Sequence, residues 1–274
     1  MWIDEMFHNQ KPVIGMVHLD ALPGTARYDN IGGVSTVIEH AKIDYQNLVD
    51  GGISGVIFCN ENDKPYSKDV GKEIVAAMTT VIHRVTGGKP AVPFGVDVQW
   101  DAKAAIAIAL AVGASFVRGI TCGTFCGDLG HFTPNAEEIV KYRHAIGADH
   151  IKILTNMMPE FSYSLDRRPL ELIAQTVSKS SLVDGICVSG VMAGKAAPYK
   201  QLRNIKRSVG NFPVIANTGV DFDNVNDILS IADACVVATC LKKDFCSQNR
   251  IDRNNVKKMM DLVRKERNDN SCDI

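Results

Sequence analysis

Short Val/Ile-rich runs in this chain alternate eight times with longer segments of helical period. The runs cover 12–19, 54–60, 92–98, 115–121, 150–156, 185–190, 213–219 and 234–239. Between and after them, apolar residues recur at helical spacing over 34–50, 67–86, 101–112, 134–146, 169–180, 199–209, 223–232 and 252–267. Each run is too short and too rich in β-branched residues for a helix, and each helical segment is long enough to cross back over a sheet. Successive strands must then lie parallel. Gly52, Gly88, Gly113, Gly147 and Gly210 fall just ahead of runs, where helices end. Eight such units without a break in composition predict an α/β fold, a single closed (β/α)8 barrel over residues 1–268, with 269–274 as a disordered tail. An open doubly wound sheet is the alternative. The turn after the first run, HLDALPGTARYDNIGG, lacks the G-x-G-x-x-G that such a sheet usually carries there.

Composition limits the function classes. With 46% hydrophobic residues the chain can fill one large core, and its 30 basic and 31 acidic residues nearly cancel. No broad field favours nucleic acid or an anionic membrane. The opening MWIDEMFHNQ lacks the apolar core of a signal peptide, and the apolar stretch 104–117 is too short to span a bilayer. A cytoplasmic protein without membrane insertion is expected. Eight scattered Cys, several inside strand runs, suit buried thiols better than a disulfide framework. Cys122 and Cys126 have half of a metal spacing but no second pair, so no metal site is assigned.

In a barrel one strand face meets helices and must be apolar, so a charge inside a strand faces the lumen. Asp97, Arg118 and Lys152 lie on strands three, four and five. A self-neutralising buried network would account for them. The functional alternative makes Lys152 a desolvated amine for acid/base or Schiff-base chemistry, and Arg118 a stabiliser of developing negative charge. Asn156 shares the parity of Lys152, and Glu160 follows the strand end. His18 closes strand one and Glu61 follows strand two, which places both at the carboxyl face where barrel chemistry is found. Glu61, Asp97 and Glu160 could serve as acid/base groups or as ligands of a divalent cation. Gly190, Thr218, Gly219 and Thr239 sit at the ends of strands six, seven and eight, where barrels often bind phosphate through backbone N–H groups. The glycines would let a phosphoryl oxygen approach the main chain.

The stretches KPVIGMVHLDALPG, FGVDVQWDAKAA, ICVSGVMAG and VIANTGVDFDNVNDILSIADACVVATCLKKD together resemble the BtpA/SgcQ family, over nearly the whole chain from about Lys11 to Met260. CNENDKPY, LTNMMPE and CVSGVMAG are similar to the SgcQ-like branch. The resemblance implies a TIM barrel of the ribulose-phosphate-binding type. It associates SgcQ-like members with carbohydrate uptake and catabolism, and BtpA-like members with photosystem I biogenesis. Two positions depart from the pattern: Asp97 stands where the family commonly has Asn, and Ala238 stands where many phosphate-binding barrels have Gly.

The expectation is an enzyme of carbohydrate metabolism that isomerises, epimerises or cleaves a phosphorylated sugar or sugar-like metabolite. Lys152 and Glu160 would transfer protons. Homo-oligomerisation is compatible with this expectation. A hydrolase of a nucleoside- or phosphate-containing substrate and a non-enzymatic assembly factor are the alternatives.

Overall fold

A computed structural model describes residues 1–8, 11–190, 192 and 194–271, the last six of these as backbone alone. Eight parallel strands close into a barrel: β1 (Val13–His18), β2 (Gly55–Cys59), β3 (Phe94–Asp97), β4 (Phe116–Gly119), β7 (Lys152–Asn156), β9 (Gly185–Val188), β10 (Val214–Ala216) and β11 (Ala234–Val237). Each lies within one of the eight expected runs. β11 pairs with β1, Val13 opposite Cys235 and Gly15 opposite Val237, which removes the sheet edges.

Helices follow the strands: α2 (Gly33–Asp50), α3 (Lys72–Thr86), α4 (Ala102–Val112), α5 (Ala136–Ala145), α6 (Leu170–Ser180), α7 (Tyr199–Val209), α8 (Val225–Ile231) and α9 (Arg253–Ser271). α3 begins five residues later than its period suggested, because residues 67–71 form a turn. There Ser67 Oγ bonds with the backbone of Asp69, and the Val70 N–H donates to Asp101. α9 runs to Ser271, past residue 269 where the tail was expected to begin, and 272–274 lie outside the described residues. Among the described residues no helix is long and apolar enough to cross a membrane.

The period of two along each strand separates two cores. Val13 and Val17 of β1 pack outward against the helices, in a layer with Leu48 and Ile53. The approach is so close that a Cβ on Gly15 would lie 2.5 Å from Leu48 Cδ2. Ile14 and Met16 point inward and meet Ile57, Phe116, Leu154, Cys187, Ile215 and Val236.

Two elements escape the rhythm. α1 (Trp2–Phe7) closes the amino end of the barrel: Ile3 and Phe7 join the lumen core, and Phe7 meets Phe116 edge-on with ring centroids 5.9 Å apart. At the other end, β5 (Phe125–Gly127), β6 (Gly130–Phe132) and β8 (Ser162–Ser164) form a small antiparallel sheet. β5 pairs with both neighbours, Cys126 standing opposite His131 and Tyr163.

Candidate active site

His18, Asp97 and Asn156 are the last residues of β1, β3 and β7, so they converge at the carboxyl end of the barrel. Arg118 on β4 is registered directly opposite Asp97. Its Nε donates to Asp97 Oδ2 at 2.9 Å, Nη2 makes a further contact with the same oxygen, and Nη1 donates to Asn217 Oδ1 at 2.5 Å. From Asn217 the bonds continue: Nδ2 donates to Ser189 Oγ (2.9 Å), Ser189 donates to Asn156 Oδ1 (3.2 Å), and Asn156 Nδ2 donates to Glu160 Oε2 (3.3 Å). One continuous chain thus links side chains at or just beyond the carboxyl ends of β3, β4, β10, β9 and β7. Every polar group in it is partnered, as a buried network requires. Ser189 and Asn217 were not singled out in the sequence. Both are the first polar residues after an apolar strand, and that position was their only signal.

A cavity of about 640 Å³ opens above this network. His18, Glu61, Arg118, Glu160, Gly219 and Thr239 all line it. Gln99 bridges the β2 and β3 ends by donating to Glu61 Oε2 at 3.1 Å, and Lys64 donates to Glu61 Oε1 at 2.9 Å. His18 lines the cavity, and no hydrogen bond joins its ring to another described residue.

The environments of these groups separate their protonation states. Burial pushes the His18 imidazole down from 6.5 to about 3 against the opposing pull of Glu61, so the ring is neutral. Burial pushes the Glu160 carboxyl up, and the nearby Arg118 only partly offsets this, so Glu160 can hold a proton. Burial acts on Glu61 in the same sense, but it is outweighed and the pKa falls. The opposing causes are, in order, the charge of a protonated His18 and then the hydrogen bond and charge of Lys64; with the His18 ring neutral, those of Lys64 remain. Burial also raises the two lumen thiols, Cys187 to about 12 and Cys59 well above its usual value, so neither is a thiolate.

Lys152 is not part of this site. It has inward parity, but it is the first residue of β7, level with Phe116 at the start of β4, at the opposite end of the barrel. Its Nζ lies 3.1 Å from Asp184 Oδ1, and Asp184 also takes Arg143 at 3.1 Å and the Ile153 N–H at 2.9 Å. The lysine serves a structural ion pair below the lumen, which corrects its assignment as a proton-transfer amine.

The phosphate corner is also revised. A Cβ on Gly190 would stand 1.7 Å from Lys195 O, and one on Gly219 would stand 1.9 Å from Ala196 N. The loop after β9 therefore lays its backbone over both glycines, and this packing is why no side chain fits there. Gly190 N–H is used up by Thr218 Oγ1 at 2.7 Å and is not left as a phosphate donor, while Thr218 only accepts in that bond, keeps its own O–H and lines the cavity. Gly219, at φ 67°, and Val220 still line the cavity, and among the described residues their N–H groups have no acceptor. Thr239 lines the same wall at the start of a 3-10 turn, beside Ala238.

Among the described residues no three His, Cys, Asp or Glu side chains gather as a metal site. Of the carboxylates considered for a divalent cation, Asp97 is already gripped by Arg118 and Glu61 by Lys64. Cys122 is half-buried and Cys126 exposed on β5, and neither is in a disulfide.

A closed parallel (β/α)8 barrel with a polar cavity at the carboxyl ends of its strands defines a TIM-barrel protein. The chain belongs to the BtpA family, whose model matches residues 9–265. It is 38% identical to the putative sgc region protein SgcQ of Escherichia coli K12, over 96% of this chain and 97% of that protein. It is 32% identical to the photosystem I biogenesis protein BtpA of Synechocystis, over 90% of this chain and 86% of that one. Among solved structures it resembles (S)-3-O-geranylgeranylglyceryl phosphate synthase from Thermoplasma acidophilum in complex with its substrate sn-glycerol-1-phosphate. The TM-score is 0.58 at 14% identity, covering 96% and 97% of the two chains, a likeness that carries the fold.

Proposed function

We propose that this protein is a cytoplasmic enzyme of carbohydrate metabolism that moves protons on a phosphorylated sugar or sugar-like metabolite, in an isomerisation, epimerisation or lyase-type cleavage. The observation that carries this is one cavity holding a carboxyl group pushed toward its neutral form, Glu160, and a carboxylate held ionised, Glu61. Two carboxyl groups driven apart in pKa supply an acid and a base at one pH. Glu160 donates the proton and Glu61 receives it. Neutral His18 hydrogen-bonds a substrate hydroxyl or carbonyl. Arg118, fixed by Asp97 and Asn217, faces an oxygen that becomes negative in the transition state and needs no reorganisation to stabilise it. The N–H groups of Gly219 and Val220, with the Thr239 hydroxyl, hold the phosphate on the far wall. The sequence resemblance to the SgcQ-like branch implies a carbohydrate substrate, and the glycerol phosphate in the similar barrel supports a phosphorylated one.

The test is a thermal-shift panel of sugar phosphates against the full chain, followed by turnover measurements on any compound that raises the melting temperature. Glu160→Gln should keep the melting shift while turnover falls about a hundredfold or more, the usual contribution of a general acid. Undiminished turnover in that variant would remove Glu160 from the chemistry.

A further inference from the structure

The mouth of the cavity carries two phenylalanines in unfavourable positions. Phe161 is 53% exposed and Phe245 is 58% exposed, and both line the cavity. Both also have left-handed backbone, at φ 61° and φ 53°, a region bulky residues rarely enter. Each position thus loses twice: the ring is not buried, and the main chain is in a conformation that Asn or Gly adopts more easily. The turn at Phe161 serves to bring β8 against β5, since a Cβ on Gly127 would meet Phe161 O at 2.4 Å. That accounts for the backbone and not for the ring.

The surroundings show what the rings suit. Phe245 meets Phe222 at 6.0 Å and 73°, and Lys258 Nζ stands 4.3 Å over the Phe222 ring, so one wall of the mouth is an aromatic ledge backed by a cation. Phe161 directly follows Glu160, whose carboxyl lines the same cavity. A volume of about 640 Å³ is in the range that takes whole cofactor-sized ligands, and a bare pentose or triose phosphate would leave much of it empty.

We infer that Phe161 and Phe245, with Phe222 behind, form a stacking subsite for a planar aromatic or heteroaromatic group on the substrate, which makes the ligand a nucleotide-like sugar phosphate. This rests on the proposed reading that the cavity takes a phosphorylated sugar. Aromatic faces accept any flat π-system, so the subsite fixes the class of substituent and leaves the base open.

Titration calorimetry on the full chain tests it with adenosine, AMP, UMP and ribose 5-phosphate as probes. AMP or UMP should bind about tenfold more tightly than ribose 5-phosphate, the order of gain that one stacked ring supplies. Phe161→Asn and Phe245→Asn, which suit left-handed backbone, should fold with melting temperatures no lower than the wild type and should bring that ratio toward one. Equal affinities for the nucleotides and ribose 5-phosphate, or a ratio unchanged in both variants, would overturn the inference. If neither nucleotides nor ribose 5-phosphate bind but adenosine does, and the Asn variants lose it, the subsite stands and the phosphate reading fails. If no probe binds, the subsite is overturned.

Discussion

At the scale of single residues, Lys152 and His18 show how position governs chemistry. Lys152 is about one-third exposed, and its partner Asp184 keeps Arg143 and the Ile153 amide when the lysine is gone. Lys152→Met should therefore reduce stability by about 1 kcal/mol or less, in the range of a partly exposed ion pair, and leave turnover unchanged. Urea denaturation beside a turnover assay checks this, and a large loss of turnover with an intact fold would return Lys152 to the site. His18 gives a pH prediction. Its folded pKa of about 3 lies below its ordinary 6.5, so the folded state holds the neutral ring. The stability it contributes is complete above pH 6.5 and is lost as the pH falls from 6.5 toward about 3, because the unfolded chain binds the proton first. His18→Gln keeps a neutral polar group and removes this dependence. Wild type should lose stability relative to the variant by at most about 1.4 kcal/mol per pH unit below 6.5. Parallel stability curves for the two proteins in urea titrations from pH 7 to pH 4 would show that the ring is solvated and titrates normally.

At the scale of elements, the loop after β9 packs its backbone on two glycines at the carboxyl end, and helix α1 closes the amino end of the barrel. Gly219 is left-handed and has the Ala196 backbone where its Cβ would be. Gly219→Val cannot be a clean probe of ligand binding, because it must displace that loop as well as alter the cavity wall. Calorimetric melting should show a loss of about 2–4 kcal/mol, combining left-handed strain with backbone displacement. A variant as stable as wild type would mean that the loop does not rest on Gly219. At the other end, Phe7 is 7% exposed and packs so tightly that a Cβ on Gly55 would lie 2.4 Å from its ring. Phe7→Ala should reduce stability by about 3 kcal/mol through the cavity it leaves, while ligand-induced melting shifts persist because the site is at the far end. Loss of both together would mean that α1 controls the whole lumen.

At the scale of the whole molecule, the amino-acid order by itself determined the architecture and half of the site. Eight strand runs separated by helix-length crossovers leave little but a closed parallel barrel, and a charge flanked by apolar residues on such a strand has only the lumen to face, so Asp97 and Arg118 were legible as inward groups. His18, Glu61 and Glu160 were legible as carboxyl-end residues because strand direction alone sets that end. A period of two fixes the face a side chain takes and says nothing of its height, and for that reason Lys152 was correctly inward and wrongly placed near the chemistry. Tertiary structure decided what depends on contacts distant in sequence. Arg118 and Asn217 meet across 99 residues, and the links through Ser189 and Asn156 to Glu160 form only when β10, β9 and β7 stand side by side. The small sheet of β5, β6 and β8 comes from short segments with weak local preference that are strands only because they pair with one another. The proton states of Glu160 and His18, and the loop backbone pressed over Gly190 and Gly219, arise from burial, and burial is a property of the assembled barrel that neighbouring residues along the chain do not set.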